Sequence, residues 1–409
     1  MATQAHPEAV EIGSAWPVIG SAQEALARAD GLKPDIAAAD APSENERQLS
    51  SELVEKMRQS GLFGLIMPKN LGGSGLGFAD LVRVTAAIGR ESGSAGWIFG
   101  VLAGHSWLIN LFPEQAQREI MSDPTTLIAT VFRLDGTVVP EGDGYRLTNG
   151  SGRFCSGIDF ANWVIIGNAV KLPDGRMEPR FFVVPKSEVE VIDDWRTMGM
   201  RATGSRSIRI ANAYIPAERS CSLSDMLKGT TPGARVHEGA IYRMPFSSLA
   251  PFSIVGAPLG MAKGLVERFA ADLGKKLAEA EPLEVAEQSA TLARIAECGA
   301  AVDAALALVI LDAEMIDRAR EPAEITALHQ QQIPRNWAYA VQTARHAANR
   351  IFEVAGGSAI YDGHPMQRMF RDVNAAAQHF AFTWDRAMTN YGRELAGLKP
   401  ASFAMPRRK

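Results

Sequence analysis

Cysteine is scarce in this sequence, with three residues among 409. Cys155, Cys221 and Cys298 lie far apart and are odd in number, which matches neither a disulfide framework nor a zinc site. The sequence also lacks the His-Glu-x-x-His pattern of a metalloprotease helix. We therefore expect no metal centre, and a cytoplasmic protein whose thiols stay reduced.

The sequence also has no excess of positive charge, because it contains 42 Lys and Arg residues and 46 Asp and Glu residues. The formal net charge of −4 provides no general attraction for nucleic acid or for an anionic membrane. No apolar leader is visible, and the most apolar helical stretch, residues 304–311, is far shorter than the ~20 residues that span a bilayer. We expect a protein that binds neither nucleic acid nor a membrane.

What is present is the composition of a soluble globular protein, with 46% hydrophobic and 22% charged residues. At ~100–200 residues per domain the chain should form two or three domains. The residue pattern changes twice along the chain. It predicts a helical domain at residues 1–124, a β domain at 125–232 and a second helical domain at 233–409.

The first domain is predicted to be all helix. Residues 43–46 (S-E-N-E) have the form of a capping box, which predicts a helix that begins there and reaches residue 60. The glycine-rich residues 71–77 lack the Lys-Ser/Thr pair of a phosphate-binding loop and are interpreted as a turn. Further helices are predicted at residues 78–90, 94–112 and 113–121.

The second domain is rich in β-branched residues and in turn residues. Strands are predicted at residues 127–132, 145–149, 163–170, 180–184 and 207–215. No helical pattern of useful length separates them, so β-α-β units and a Rossmann core are disfavoured. The segments predict an antiparallel sandwich or barrel.

The third domain has apolar residues at alternating spacings of three and four, which is the pattern of bundle helices. Four helices are predicted, at residues 251–280, 284–319, 323–355 and 366–396. Helices of this length leave further apolar faces to cover. We expect other subunits to cover them, in a homotetramer.

Two stretches resemble the acyl-CoA dehydrogenase superfamily. Residues 195–205 (W-R-T-M-G-M-R-A-T-G-S) resemble its G-x-R-x-(T/S)-x-S element, and residues 354–358 (V-A-G-G-S) with 368–372 (R-M-F-R-D) resemble its GG...R-x-x-RD element. The resemblance implies an α+β multi-domain fold with an N-terminal helical domain, a central antiparallel β domain and a C-terminal four-helix bundle. A shared fold does not fix the chemistry.

The dehydrogenase reaction needs a carboxylate that removes a proton from the substrate. In the family this glutamate usually stands eight residues after the Asp of the R-D pair, or on the helix that opens the C-terminal domain. Eight residues after Asp372 stands Phe380, and no Asp or Glu lies between Glu238 and Glu267. A phenyl ring cannot accept a proton, so dehydrogenation is disfavoured.

Residues 374–380 (N-A-A-A-Q-H-F) resemble instead the AAxQH-type segment of reduced-flavin-dependent monooxygenases, the oxygenase components of two-component aromatic hydroxylases. Three other segments match the same group. They are residues 154–157 (F-C-S-G) with Trp163, residues 105–107 (H-S-W) and residues 242–245 (Y-R-M-P), which resemble its F-S-S-G...W, H-x-W and Y-R-x-P elements.

This resemblance implies an enzyme that receives reduced flavin, FMNH2 or FADH2, from a separate NAD(P)H-dependent flavin reductase. The flavin reacts with O2 to a hydroperoxide and passes one oxygen atom to a small aromatic or heteroaromatic substrate, such as a phenol or an indole. The cofactor carries the difficult chemistry, and the protein holds it and excludes water.

The resemblance implies three catalytic residues. Ser156 would lie beside the N5 edge of the flavin, and His379 would lie near the site of oxygen transfer as a base or a hydrogen-bond partner. His105 would face the substrate from an apolar helix. The residues alone leave a turn serine and two core histidines open as alternatives.

Further residues are implied in binding. For the flavin they are Thr130, Ser156, Trp163 and Arg243 at the ring, and Arg268, Gly356, Gly357 and Ser358 at the phosphate or adenylate end, across a subunit boundary. For the substrate they are His105, Trp107, Phe132 and Phe380. The alternatives are an interdomain salt bridge for Arg243 and a helix C-cap for the two glycines.

Two rival functions remain open from the sequence. One is an acyl-CoA dehydrogenase-type flavin oxidoreductase with a displaced base, which would form an enoyl product with an artificial electron acceptor. The other is a non-catalytic flavin-storage or scaffold protein, in which substitution of Ser156 and His379 would change no substrate oxidation.

Overall fold

Helices, then strands, then helices follow one another along the chain in a computed structural model, which describes residues 16–123, 125–278 and 280–401. The first helical part contains α1 (Ala22–Gly31), α2 (Lys33–Glu46), α3 (Ser51–Gln59), α4 (Phe78–Gly89), α5 (Gly93–Leu108) and α6 (Glu114–Ile120). The strands are β1 (Ile128–Val131), β2 (Asp135–Glu141), β3 (Gly144–Cys155), β4 (Trp163–Lys171), β5 (Met177–Pro185), β6 (Glu190–Ile192), β7 (Arg206–Pro216) and β8 (Ser220–Ser222). The remaining helices are α7 (Leu223–Lys228), α8 (Phe252–Leu277), α9 (Pro282–Glu287), α10 (Ser289–Arg318), α11 (Ala327–Phe352), α12 (Pro365–Ala376) and α13 (Trp384–Leu395). This order confirms the predicted fold class.

The predicted start of a helix at residue 43 is wrong. Ser43 and Glu44 are buried near the end of α2, which stops where Arg47 adopts a left-handed φ of 55°. The next helix, α3, begins after Ser50, whose Oγ accepts a hydrogen bond from the backbone nitrogen of Leu53 at 3.1 Å. The serine that caps the helix is therefore seven residues further along the chain than predicted.

The strands form one sheet in the order β6-β7-β3-β2-β4-β5-β8, with β1 paired to β4. Most pairs are antiparallel as predicted, but β4 runs parallel to both β1 and β2. The sequence analysis missed β2, which contains Gly136 and Pro140, and the three-residue strands β6 and β8. Glycine, proline and short length all weaken the strand pattern in a sequence.

The last predicted helix, 366–396, is broken in two. Helix α12 ends at Ala376 and α13 begins at Trp384. The break leaves backbone groups without helical partners, and side chains satisfy two of them: Arg386 Nη2 donates to the carbonyl oxygen of Phe380 at 2.8 Å, and the Ala381 amide donates to the imidazole of His379. The sequence shows no glycine or proline at this break, so periodicity predicted a continuous helix.

Helix α5 is the centre of the helical part, and all of its side chains are buried. Small residues let it approach α8 and α4 closely. A Cβ atom on Gly100 of α5 would lie 1.9 Å from the carbonyl oxygen of Ser253 in α8, and one on Gly96 of α5 would lie 2.6 Å from the Cα atom of Gly89 in α4. These contacts fix the position of α5, and with it the side chains that α5 directs at the sheet.

Helix α8 lies within the span Phe246–Leu277, which among the described residues is the one helical segment long and apolar enough to cross a membrane. Most of its apolar residues are buried inside the protein. Residues 304–311, the apolar stretch named in the sequence analysis, lie in α10.

Candidate active site

Trp97 and His105 project from α5 on the side that faces the sheet. The His105 Nδ1 atom lies 2.7 Å from the carbonyl oxygen of Ile128 in β1. Because a carbonyl oxygen can only accept, this nitrogen carries the ring proton and Nε2 keeps its lone pair. Burial lowers the pKa of His105 to about 4, so the ring is neutral at neutral pH.

Ser156 lies in a tight turn at the end of β3. Phe154 and Gly157 flank it with φ angles of 65° and 75°, and a left-handed conformation is costly for the side chain of Phe154. A Cβ atom on Gly157 would lie 2.9 Å from Leu102, so the turn fits closely against α5. The turn requires glycine at this position for both reasons.

The Ser156 hydroxyl group connects α5 to the loop before β7. Its Oγ lies 3.4 Å from the indole Nε1 of Trp97 and 2.7 Å from the Oγ of Ser205. Ser205 Oγ lies in turn 2.7 Å from Thr203 Oγ1, which donates to the carbonyl oxygen of Met200 at 2.8 Å. Ser205 and Thr203 belong to the G-x-R-x-(T/S)-x-S element, which the sequence analysis used for the fold but not for the site.

His379 lies in the break between α12 and α13, and not on a helix. Its Nδ1 accepts a hydrogen bond from the backbone nitrogen of Ala381 at 3.3 Å, so the neutral ring carries its proton on Nε2. The imidazole meets Trp97 edge to face, with ring centroids 5.6 Å apart. It also packs against Phe380 and Phe382, at 4.5 and 5.6 Å between centroids.

The pKa of His379 is low, at about 4. Burial is the larger cause, and the positive charge of Arg386 adds to it. Arg386 itself is half-buried in the first turn of α13, and burial lowers the pKa of its guanidinium group. His379 is therefore a neutral hydrogen-bond donor at neutral pH.

Phe132 and Phe380 form an aromatic wall. Their ring centroids are 6.3 Å apart with the planes at 76°. Phe132 also packs against Phe181 and Phe246, at 6.0 and 6.2 Å between centroids. The wall links the end of β1 to the break after α12.

Thr130 lies on β1, two residues after Ile128 and on the same face of the strand. The side chain is buried, and its Oγ1 has no hydrogen-bond partner among the described residues. A buried hydroxyl without a partner costs about 1–3 kcal/mol, so it favours a ligand that hydrogen-bonds to it.

These side chains form one group, which we call the site cluster. Contacts connect five of its members, Trp97, Phe132, Ser156, His379 and Phe380. We include His105, which contacts the backbone of β1, and Thr130, which lies on β1, as their neighbours. Six of them were predicted from the sequence as site residues, and no member is a carboxylic acid. The cluster contains hydroxyl groups, neutral imidazoles and aromatic faces.

Two predicted residues lie outside the site cluster. Trp107 follows His105 by two residues and therefore points to the other side of α5, where its ring centroid is 5.1 Å from that of Phe78 in the helical core. The guanidinium group of Arg219 lies over the ring of Trp163, with 4.9 Å between the guanidinium carbon and the ring centroid, and Arg219 also forms a salt bridge with Glu119. The structure does not bring either indole ring to the hydroxyl groups.

The remaining predicted flavin contacts also lie elsewhere. Arg243 Nη1 is 3.5 Å from the carboxylate of Glu321. The sequence analysis left a salt bridge open as the alternative for Arg243, but between two domains, whereas this one lies within the C-terminal helical part. Arg268 Nη2 is 3.4 Å from the carboxylate of Glu91. Gly356, Gly357 and Ser358 are exposed after α11, where Gly356 has a left-handed φ of 80°.

The pair Arg371 and Asp372 anchors the segment before β7. Asp372 in α12 accepts a hydrogen bond from the backbone nitrogen of Met200 at 2.5 Å, and burial raises its pKa to about 7. Arg371 lies 2.8 Å from the carboxylate of Glu44 in α2. Together these two contacts join all three parts of the chain, and they fix the segment that carries Thr203 and Ser205.

The sequence analysis missed Trp97, Arg386, Thr203 and Ser205 as site residues. The two hydroxyl residues were visible in a motif, and Trp97 was visible on the apolar helix of His105. Arg386 gave no signal, because its position depends on the helix break.

Comparisons with known proteins identify the family of this chain. Residues 24–124 match the model of the acyl-CoA dehydrogenase N-terminal domain, and residues 252–384 match that of the C-terminal domain. The chain is 31% identical to the flavin-dependent monooxygenase oxygenase subunit HsaA of Mycobacterium tuberculosis, over 93% of this chain and 97% of that protein. It is 28% identical to the oxygenase component of the FADH(2)-dependent resorcinol hydroxylase of Rhizobium sp., over 88% of this chain and 90% of that protein.

The crystal structure of the HsaA monooxygenase of M. tuberculosis superimposes on this chain with a TM-score of 0.87 at 29% identity. The match covers 93% of this chain and 99% of that one. These findings confirm the resemblance on which the sequence analysis relied. The chain belongs to the family of flavin-dependent monooxygenase oxygenase subunits, which are enzymes built on the acyl-CoA dehydrogenase fold.

Proposed function

We propose that this protein is the oxygenase component of a two-component monooxygenase, which uses reduced flavin and O2 to hydroxylate a small aromatic or heteroaromatic substrate such as a phenol or an indole. The observation that carries the proposal is the position of His379. Its neutral imidazole packs against Trp97 beside Ser156, in the segment where a dehydrogenase needs a carboxylate base. The relatives named above support the use of reduced flavin.

The site cluster fits the ring system of a flavin. That ring has flat apolar faces and hydrogen-bonding atoms along one edge, so it needs an aromatic wall and a few hydroxyl groups. Phe132 and Phe380 offer the wall, and the unpartnered Oγ1 of Thr130 and the hydroxyl of Ser156 offer the polar contacts. Bound reduced flavin, FMNH2 or FADH2, would supply the reaction with O2 and the transfer of oxygen.

His105 and His379 have complementary roles in this proposal. The Nε2 atom of His105 keeps a lone pair and accepts a hydrogen bond, as from a phenol O–H or an indole N–H. The Nε2 atom of His379 carries a proton and donates one. One acceptor and one donor orient a substrate between the aromatic side chains.

His379 acts as a donor and not as a general base. An efficient base has a pKa near the operating pH, and the pKa of His379 is about 4. Its Nδ1 lone pair is moreover occupied by the amide of Ala381. A neutral N–H group stabilises negative charge on oxygen without a proton transfer.

We further propose that the chain forms a homotetramer through its C-terminal helices. Large apolar side chains are exposed there, namely Leu311, Tyr339, Ile360, Tyr361, Trp384 and Leu395. Apolar faces of this kind are covered by other subunits in oligomers. Gly356 to Ser358 and Arg268 lie in this part of the chain and would contact the phosphate or adenylate end of a neighbouring subunit's flavin; a monomer in sedimentation analysis would refute this assembly.

The supply of cofactor and the location of the enzyme complete the proposal. A separate NAD(P)H-dependent flavin reductase provides the reduced flavin, as the oxygenase-component names of the relatives imply for those proteins. The cytoplasm is the compartment, in line with three buried and unpaired cysteines.

The test combines the purified protein with chemically reduced FMN or FAD under anaerobic conditions and then adds O2 with a series of phenols and indoles. We expect hydroxylated product to form from at least one of them, and addition of a flavin reductase with NADH to make turnover continuous. An acyl-CoA offered with an artificial electron acceptor should give no enoyl product.

Two variants make the test specific to the site. Ser156→Ala and His379→Ala should lower product formation, while Ser220→Ala, which removes a buried hydroxyl elsewhere in the sheet, should not. Enoyl product from acyl-CoA would support the dehydrogenase instead. If the wild type forms no product, so that neither site variant has any substrate oxidation to change, the result would support a non-catalytic protein.

A further inference from the structure

Three side-chain hydroxyl groups form a hydrogen-bonded chain that starts in the site cluster and ends at a backbone carbonyl. Ser156 Oγ lies 2.7 Å from Ser205 Oγ, which lies 2.7 Å from Thr203 Oγ1. Thr203 Oγ1 lies 2.8 Å from the carbonyl oxygen of Met200. Each hydroxyl has one proton to donate, so a chain of this kind has a direction.

The carbonyl oxygen fixes that direction, because it has no proton. At 2.8 Å the contact requires a proton between the two oxygen atoms, and only Thr203 can provide it. Thr203 must then accept from Ser205, and Ser205 must accept from Ser156. The proton of Ser156 is thereby committed to Ser205 and points away from the site cluster.

The direction is held firmly, because the chain is shielded from water. Thr203 and Ser205 are only 2% and 4% exposed, so a reversed hydroxyl would leave buried oxygen atoms facing each other without a proton. Asp372 adds to this by holding the backbone of Met200 from the other side. Ser156 is left with lone pairs only, one of which faces the Nε1–H of Trp97 at 3.4 Å.

A serine that can only accept distinguishes the two redox states of a flavin. Reduced flavin carries a hydrogen on its N5 atom and donates there, whereas oxidised flavin has a lone pair on N5 and repels an acceptor. We propose that Ser205 and Thr203 are positioning residues that hold Ser156 as a hydrogen-bond acceptor, so that the site binds reduced flavin in preference to oxidised flavin. The inference rests on the proposed function, because it needs a flavin whose N5 edge meets Ser156.

This preference serves an enzyme that is fed by a separate reductase. Such an enzyme has to capture the reduced cofactor from solution and to release the oxidised cofactor after each turnover. A fixed acceptor achieves both, without a conformational change, because the hydrogen-bonding character of N5 reverses when the flavin is oxidised.

The test measures binding in the absence of turnover. Dissociation constants of the wild-type protein and of Ser205→Ala are determined anaerobically for FMN and FAD, each in the oxidised and the dithionite-reduced form. We expect the wild type to bind the reduced form at least about tenfold more tightly, which corresponds to about 1.4 kcal/mol for one hydrogen bond. In Ser205→Ala the Ser156 proton is free to turn toward N5, so the preference should fall to within about threefold.

Further variants separate positioning from a general structural role. Ser205→Thr keeps a hydroxyl and should restore the preference, and Thr203→Val, which removes the anchor of the chain, should weaken it and decides the matter if Ser205→Ala does not fold. Ser220→Ala, a buried serine of the same sheet, should leave the ratio of the two constants unchanged. The reduction potential of bound flavin should also be higher in the wild type than in Ser205→Ala, because only the wild type favours the reduced form.

Two results would overturn the inference: equal affinity of the wild type for both redox states, or a preference that Ser205→Ala and Thr203→Val leave intact. Failure of the proposed function gives a different result. In that case the wild-type protein binds neither redox state of FMN or FAD.

Discussion

The indole of Trp97 and the imidazole of His379 meet edge to face, with centroids 5.6 Å apart and ring planes at 69°. Trp97 belongs to the N-terminal helical part and His379 to the break between the last two helices. The same indole Nε1 lies 3.4 Å from Ser156, at the end of a sheet strand. One side chain thus joins the three parts of the chain at the candidate site.

The first prediction concerns Trp97. Trp97→Phe keeps an aromatic edge against His379 but removes the N–H group that faces Ser156. We expect a small loss of stability, of about 1 kcal/mol, and a larger fraction of the reduced flavin oxidised to H2O2 without hydroxylated product. Trp97→Ala leaves a cavity and should cost about 3–5 kcal/mol of unfolding free energy.

The measurements for Trp97 are urea denaturation and the ratio of product to H2O2. A tryptophan that only fills space would give a different pattern. In that case Trp97→Phe would keep the full product yield, and only Trp97→Ala would lower it.

The second prediction separates a donor from a base at His379. Glutamine offers an N–H group close to the position of Nε2 but cannot take a proton at neutral pH. We expect His379→Gln to keep the hydroxylation rate within about tenfold and His379→Ala to lose about 100-fold. The rates are measured in single turnovers from pH 6 to 8.

The pH dependence of the rate can show whether this prediction for His379 is wrong. A ring with a pKa of about 4 does not titrate between pH 6 and 8, so the substitution should remove no inflection from that range. If the wild type showed an inflection there that His379→Gln abolished, the imidazole would be acting as a base.

The third prediction is the acid sensitivity of the fold. The pKa of His105 is about 4 in the folded protein and 6.5 for an ordinary histidine, so the unfolded chain binds more protons between these values. The contribution of His105 to stability is therefore present above pH 6.5 and is lost as the pH falls through about 4. The difference of about 2.5 pKa units corresponds to an upper limit of about 3 kcal/mol.

The variant for this prediction is His105→Asn, whose amide N–H can still donate to the carbonyl of Ile128 without titrating. Urea denaturation at pH 7.5 and 4.5 should show a smaller loss of stability on acidification in this variant than in the wild type. His346→Asn, at an exposed histidine, is the matched control and should keep the wild-type loss. An equal loss in all three proteins would contradict the prediction.

The fourth prediction concerns the close packing of α5 on α8. Gly100→Ala places a Cβ atom 1.9 Å from the carbonyl oxygen of Ser253, so backbone has to move. We expect a loss of about 3 kcal/mol or more in unfolding free energy, together with lower product yield, because α5 carries Trp97 and His105.

Gly274→Ala on the exposed end of α8 is the control, because its Cβ atom meets nothing within 4 Å. Alanine in a helix interior is more favourable than glycine by about 0.5–1 kcal/mol, so this variant should be slightly more stable than the wild type. Equal effects at both positions would show that close approach does not matter at Gly100.

Much of the fold followed from local patterns. Helix α4, for example, was predicted at residues 78–90 and runs from Phe78 to Gly89, and β4 was predicted at 163–170 and runs from Trp163 to Lys171. Patterns failed where side chains satisfy backbone groups that a helix break leaves free, because apolar periodicity carries no information about such contacts. The helix predicted through residue 379 is broken because Arg386 and His379 satisfy the freed backbone groups.

The candidate site shows the same division. Phe132, Ser156, His379 and Phe380 were named from the sequence, and contacts that include Trp97 bring them together. His105 and Thr130 were named as well and lie on α5 and β1. Trp107 and Trp163 were named from the same motifs and lie apart from them. A motif specifies which residues stand near each other in the chain but not the direction in which each side chain points.

The sequence by itself determined the order of helices and strands, the lack of a carboxylate at residue 380 and the side chains that supply the hydroxyl, imidazole and aromatic groups. The tertiary structure alone decided which nitrogen of each histidine carries the proton and which way the hydroxyl of Ser156 points. Those properties depend on hydrogen-bond partners such as Ile128 and Ser205, which come from other segments of the chain. A proton takes the position that its acceptor dictates, and the acceptor is known only once the chain has folded.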